Sequence, residues 1–502
     1  MKPSTLHCDT LIRNVLILDG SGSEPHSGGI AITDGRIVAM GNVSSHSAAN
    51  TIDGRSQCLA PGFIDTHTHD DLYLIHSPQM LPKLSQGVTT VVTGNCGISG
   101  SPVTAKQQEP PVPANLLGTA EQFRYRTFSE YVDALTAAQP ALNVAALVGH
   151  TTLRNNHMDR LDRSATPAEI SAMCTQLSEA LLHGALGLSS GLAYRSANSA
   201  SEDEVSALAE PLADHAAIYA THMRSEGAQV INAIHEALRL GRCRKVLVVI
   251  SHLKCTGIDN WHRSDEMLQL LHSAGREQAI AWDCYPYAAS STTLDLKQVD
   301  DRISITITWS SSYPDLASQP LSQIAQSWGL SQQEAAQRLQ PAGAIYHGMS
   351  EDDVRAILRN SATMIGSDGL PNDRFPHPRL WGTFPRVLGH YSRDLQLFSL
   401  GEAVRKMTSL PAERFGLHDR GWIKEGYAAD LVLFDPVTIR DEATYAEPMR
   451  PASGIAGVWV NGTLSYTNQG PTGKRAGRFL PRPTTKQPAH SSQATDHARR
   501  HQ

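Results

Sequence analysis

No apolar run in the chain approaches the ~18 residues that would cross a bilayer, so a membrane-spanning helix is not expected. Cysteine is sparse. Seven of them, an odd number scattered over 502 residues, do not make a disulfide framework and fit a reducing cytoplasm. The body of the chain has no basic run and its formal net charge is −6, which argues against nucleic acid or an anionic membrane as the main partner. The first twenty residues, MKPSTLHCDTLIRNVLILDG, break their apolar stretch with Arg13, Asn14 and Asp19 and show no small-residue cleavage site. Secretion is therefore not expected. What is present is ordinary globular composition, 40% hydrophobic and 18% charged, in a length that suits one large domain plus a smaller one.

Residues 10 to 60 read as short strands with turn chemistry, including GGIAITDGRIVAMG, whose Asp34-Gly35 pair suits a tight hairpin. From residue 61 the pattern changes to apolar strands alternating with helical segments. Eight strands can be counted: GFIDTHTH, TTVVTGNCG, NVAALVGH, GALGLSSGLAY, AIYATHMRS, KVLVVISHLK, AIAWDCYPY and ATMIGSDG. Between them lie amphipathic helices such as TPAEISAMCTQLSEALLHG, where Thr166 and Glu169 fit a capping box, Pro167 opens the first turn and Gly184 ends the helix. Eight strand-helix units imply a parallel (β/α)8 barrel over 61–414, with reactive groups at the C-terminal ends of its strands. After KMTSLPAERFGL strand signals return, with an Asn461-Gly462 hairpin turn. The simplest arrangement joins 1–60 to 415–480 in a small β-sandwich built from both chain ends, because neither half can bury a face alone. An insertion of roughly 60 residues near 288–348 is long for a loop and suggests a lid or subdomain. The polar segment 484–502 is expected to be disordered.

The strand ends can be taken as a group. His67 and His69, two residues apart and so on one face, end the first strand, and Cys96 ends the second. His222 ends the fifth, His252 the sixth and Asp368 the eighth. Each has a bland explanation, since a lone strand-end histidine is more often hydrogen-bonded than metallated. Six such residues at the same end of five strands point instead to a metal site. Thiolate and imidazole together suit Zn²⁺, and three protein ligands leave the open position that hydrolysis needs.

The sequence resembles the amidohydrolase superfamily, and within it the branch of N-acyl-D-amino-acid deacylases, or D-aminoacylases. The resemblance runs over nearly all of residues 8 to 480 and rests on APGFIDTHTHDD, GVTTVVTGNCGIS, GALGLSSGLAY, YATHMRSEG, ISHLKCTG, DCYPYAASST, IGSDGLP, PHPRLWGTFPRVLG and KMTSLPAERFGL. It implies one tight zinc held by Cys96, His222 and His252, with His67 and His69 at a second, weaker metal position. Many binuclear relatives bridge two metals with a carboxylated lysine from the fourth strand, but GLSSGLAYRS has no lysine, and Cys96 would take that role.

The resemblance further implies hydrolysis of N-acyl-D-amino acids to a carboxylate and a free D-amino acid. Asp368 is expected to take a proton from water and pass it to the leaving nitrogen. Lys254, Tyr285 and Arg379 match positions that hold the substrate's α-carboxylate, although Lys254 and Arg379 also read as solvated rim charges. Two other functions share the framework: a cyclic amide or imide hydrolase of the dihydroorotase or hydantoinase kind, with no need for Arg379, and a non-catalytic scaffold, which would have lost ligands. Every expected ligand is present. Lys297 could pair with an acidic substrate side chain or face water, and the preferred side chain stays open. The expected partner is a small-molecule substrate, and the resemblance allows a monomer.

Overall fold

The structure is a computed structural model that describes residues 6–104 and 110–483; the segment 484–502, expected to be disordered, lies outside the described residues. Eight short parallel strands form the barrel: β1 Phe63–Asp65, β2 Val88–Thr93, β3 Asn143–Ala146 continued by Val148–Gly149, β4 Gly187–Gly191, β5 Ile218–His222, β6 Val248–Ile250, β7 Ile280–Cys284 and β8 Thr363–Ile365. Each pairs with the next in chain order. Thr66 N donates to Ile365 O and a parallel bridge joins Thr68 to Gly369, which closes β8 onto β1. Strands buried on both faces call for apolar residues in both registers. One register fills the barrel interior with Ile64, Val92, Leu147, Ala220, Val249 and Met364, and the other packs outward against the helices through residues such as Phe63, Val91, Leu188 and Trp282.

The helix Pro167–Leu182 shows why the surrounding elements form where they do. Thr166 accepts from Glu169 N while the Glu169 carboxylate accepts from Thr166 N, so two of the free amides at the helix start are satisfied reciprocally. At its other end Gly184 takes φ +94°, a region that favours glycine, and lets the chain turn towards β4.

Both chain ends contribute to one nine-stranded sheet. Cys58–Pro61 runs parallel to Leu6–Ile17 on one side and antiparallel to Leu431–Phe434 on the other, so it is the seam between the two halves. The Asp34-Gly35 and Asn461-Gly462 pairs both turn hairpins with positive φ at each residue. The insertion carries its own three-stranded antiparallel sheet, Ser290–Thr293, Ile305–Ser310 and Ala342–Tyr346, packed on helices Leu321–Trp328 and Gln332–Leu339 over a separate apolar cluster. Past the sheet, residues 476–482 return to the barrel floor, where Val144 N donates to Arg478 O and Leu480 N to Val144 O. Among the described residues no helix is long and apolar enough to cross a membrane.

A buried polar knot fastens sheet to barrel. The Asp430 carboxylate accepts from Asn461 N at 2.6 Å and from Asn143 Nδ2 on β3 at 2.9 Å, and it pairs with Arg420. Removing one member strands a buried charge. Asp430→Ala is therefore expected to lower the unfolding free energy by about 3 to 5 kcal/mol, read from the urea midpoint; a loss below about 1 kcal/mol would show that the knot carries little of the joint.

Candidate active site

The strand ends deliver their side chains to one buried mouth. Cys96 Sγ lies 3.2 Å from His67 Nε2 and 3.3 Å from His252 Nε2. Asp368 Oδ1 is 3.5 Å from His67 Nε2 and 3.1 Å from His69 Nε2. One ligand atom each from His67, Cys96, His252 and Asp368 lies within 4.8 Å of the others, and His222, Glu226 and His252 form a second such group. The His222 ring stands edge-on to His252 at 4.5 Å. Donors that share a tetrahedral zinc, at about 2.0–2.3 Å from each, sit roughly 3.5 Å apart, so these spacings and this mixture of sulfur and nitrogen fit such an ion.

The electrostatics of the cluster agree with that chemistry. Burial alone would push the Cys96 thiol up, but positive charge on His67 and His252 pulls it well below its ordinary value, which favours the thiolate. His67 is opposed by burial yet raised by Cys96 and Asp283, and His69 is raised to about 9 by Asp368 and Cys96 against the same burial. Burial likewise disfavours the Asp368 carboxylate, and Arg379, His69 and His67 overcome it and hold its pKa well below the usual range. A cation entering this cluster exchanges with protons on the imidazoles.

Local backbone explains how the residues get there. Cys96, His252 and Asp368 all have positive φ, 53°, 37° and 50°, a conformation that costs a non-glycine residue about 1 kcal/mol or more and clusters at functional sites. Gly191 at the end of β4 packs so closely on the Cys96 loop that a Cβ there would lie 2.1 Å from Cys96 O. Gly97 N donates to Ser189 Oγ at 3.0 Å. The strand-four positions that have no lysine are thus occupied by small residues that seat the cysteine loop.

The expected carboxylate-binding residues come together as well. The Tyr285 ring is flanked by Arg379, 4.7 Å from its centroid, and by Lys254, at 5.6 Å. Arg379 is buried; its Nη2 pairs with Asp368 Oδ2 at 2.9 Å and donates to Ser291 O, while its Nε and Nη1 have no partner among the described residues. Lys254 Nζ donates to Glu226 Oε1 at 2.6 Å and lies 2.7 Å from His252 Nδ1. A cavity of about 1140 Å³ opens over His222, His252, Lys254 and Asp368, and the insertion supplies one wall, with exposed Lys297 at its edge.

Two acidic residues escaped the sequence reading. Glu226 bridges the rear nitrogen of His252, at 2.9 Å, and Lys254. Asp283 accepts from His252 N at 2.9 Å and lies 3.5 Å from His67 Nδ1. Carboxylates behind ligating histidines fix ring orientation and basicity. Only the position of Asp283 at the end of β7 could have singled it out; Glu226, on the loop after β5, reads as a surface charge.

Comparison with known proteins places this geometry in a family. The amidohydrolase family model matches residues 50–244 and 316–466. A D-aminoacylase from Alcaligenes xylosoxydans xylosoxydans is 47% identical over 94% of this chain and 98% of its own, and an N-acyl-D-aspartate deacylase of the same organism is 45% identical over 94% and 95%. The crystal structure of N-acyl-D-glutamate deacylase from Bordetella bronchiseptica, complexed with zinc and a phosphonate mimic of the tetrahedral intermediate, superposes with a TM-score of 0.91 at 42% identity, covering 95% of this chain and all of that one. The family model over most of the chain and the whole-length similarity, with the barrel and its strand-end donors in accord, show that the chain belongs to the amidohydrolase family.

Proposed function

We propose that the protein is a zinc-dependent N-acyl-D-amino-acid deacylase. The observation that carries this is the meeting, at one barrel mouth, of a sulfur-imidazole donor set, a carboxylate with one oxygen turned to that set, and a buried arginine with two guanidinium nitrogens unpaired among the described residues. The reactions of relatives alike over their whole length support it. In this reading Cys96, His222 and His252 hold the tight ion, and His67 and His69 contribute to a second, weaker position. Zinc, when bound, lowers the pKa of water to about 7 and polarises a carbonyl.

The chain's own groups do the rest. Asp368 Oδ1 accepts a proton from water and returns it to the departing amine nitrogen, a role worth roughly 10²- to 10⁴-fold in rate. Arg379, with Lys254 and Tyr285, grips the α-carboxylate in charge-assisted hydrogen bonds. A hydantoin or dihydropyrimidine ring has no free α-carboxylate and would leave the Arg379 N–H groups unmatched. With carboxylate and acyl carbonyl both fixed, one arrangement of the Cα substituents remains, and the L-isomer drives its side chain into the wall. All seven cysteines are free, which supports a reducing compartment such as the cytoplasm.

The direct test is hydrolysis of N-acetyl-D-methionine, N-acetyl-D-glutamate and N-acetyl-D-aspartate beside their L-isomers. At least one D-isomer should exceed its L-form by about a hundredfold in kcat/KM, and equal rates for every pair would overturn the stereochemical reading.

Removing Cys96 takes away one of three ligands from a site with no spare. Cys96→Ala is expected to purify with little zinc and to lose activity, whereas His67→Ala should keep more of its metal. Full zinc content with parental turnover in Cys96→Ala would place the tight site elsewhere.

For the carboxylate grip, Arg379→Ala should lower kcat/KM at least about tenfold, since a charge-assisted hydrogen bond contributes roughly 1.5 to 3 kcal/mol. Replacing the substrate carboxylate by a neutral amide should produce a similar loss in the parent and little further loss in the variant. Equal penalties in both proteins would remove Arg379 from this role.

A further inference from the structure

Beneath the mouth lies a buried ionic cluster that the proposed chemistry does not use. Lys83, on the short helix Leu81–Leu84, is fully buried, as are Asp65, Asp70 and Ser367 around it. Its Nζ donates to Asp65 Oδ2 and to Ser367 Oγ, each at 2.7 Å, and sits 3.4 Å from Asp70 Oδ2. Ser367 Oγ donates to Asp65 Oδ2 at 2.6 Å and accepts from Gly369 N at 3.1 Å. The other Asp65 oxygen accepts from Ser367 N at 2.8 Å and from His67 N at 3.3 Å.

These contacts converge on the turn that carries Asp368. The residue before it is held through both backbone and side chain, the residue after it through its amide, and Asp368 N itself donates to His67 O at 2.7 Å. Asp368 keeps a left-handed backbone within this frame. Strain of that kind persists only where surrounding contacts over-determine it. A buried lysine-carboxylate group contributes little net stability compared with apolar packing of the same volume, so its value here is geometric. Gly369 leaves room for it, since a Cβ there would lie 3.0 Å from Lys83 Nζ.

We propose that Lys83 is a positioning residue for Asp368, acting through the Ser367 hydroxyl and the Asp65 carboxylate. It fixes the seam between β8 and β1 so that the Asp368 carboxylate faces the histidines. This rests on the reading of Asp368 as the proton carrier. Asp368→Asn tests that reading separately: parental turnover in it would remove Asp368 from the chemistry.

The test of the positioning role uses Ser367→Ala, which cuts the relay and keeps the Lys83–Asp65 ion pair, together with Lys83→Met. Both are compared with the parent on the best of the three N-acetyl-D-amino acids. In Ser367→Ala kcat should fall about tenfold with KM within about twofold and zinc per chain as in the parent, while the lost buried hydrogen bonds lower the melting temperature by a few degrees only. Lys83→Met should show the same split with a larger loss; if its two stranded carboxylates prevent folding, Ser367→Ala decides alone. Parental kcat in Ser367→Ala overturns the proposal. So does a kcat loss matched by a proportionate loss of zinc per chain or of folded protein at the assay temperature, which would make the cluster structural only.

Discussion

Charge kept out of water must meet its opposite within a few ångströms, and the whole mouth of this barrel obeys that constraint. The Cys96 thiolate faces His67 and His252, Asp368 faces Arg379 and His69, and Glu226 faces Lys254 and His252. No member can be understood alone. The two cations expected to grip a substrate, Arg379 and Lys254, are already paired with acids of the site. That arrangement holds the donors at fixed positions before substrate arrives, which is where preorganised electrostatics differ from solvent.

Short strands make this possible. The barrel strands run only three to seven residues, and beyond their ends the chain abandons regular geometry: Cys96, His252 and Asp368 turn their side chains inward from left-handed backbone. Gly97, in the loop after β2, and Gly191, at the end of β4, let two loops approach to distances that a side chain at either position would block. Rigid parallel pairing below and unusual backbone above are complementary. One supplies the mould and the other the reach.

Much of this was legible in the sequence because it depends on local rules. Alternating apolar runs marked eight strands, Thr166 and Glu169 marked a helix start, and Asp-Gly and Asn-Gly marked hairpins; each is decided within a few residues. The histidines and Cys96 were legible as a set because barrel topology puts all strand ends on one side. Glu226, Asp283 and Lys83 were not. A single charged residue reads as solvent-facing, and only the tertiary fold, by bringing Lys83 against Asp65 from a different segment, shows it buried. The pairing of Arg379 with Asp368 was hidden for the same reason: two expected roles, base and carboxylate grip, turned out to share one contact.

The seam strand Cys58–Pro61 has a consequence for how the chain comes to be folded. Its partner Leu431–Phe434 is separated from it by the entire barrel sequence, so this pairing is among the most non-local in the molecule. During synthesis the amino-terminal strands emerge first and must wait, with an unpaired edge, until the ribosome has delivered nearly everything else. The entropy of closing so large a loop is offset only after the barrel has formed and brought its ends together. Sheet completion is therefore expected to follow barrel formation, and until then the edge of Cys58–Pro61 that faces Leu431–Phe434 has no partner strand.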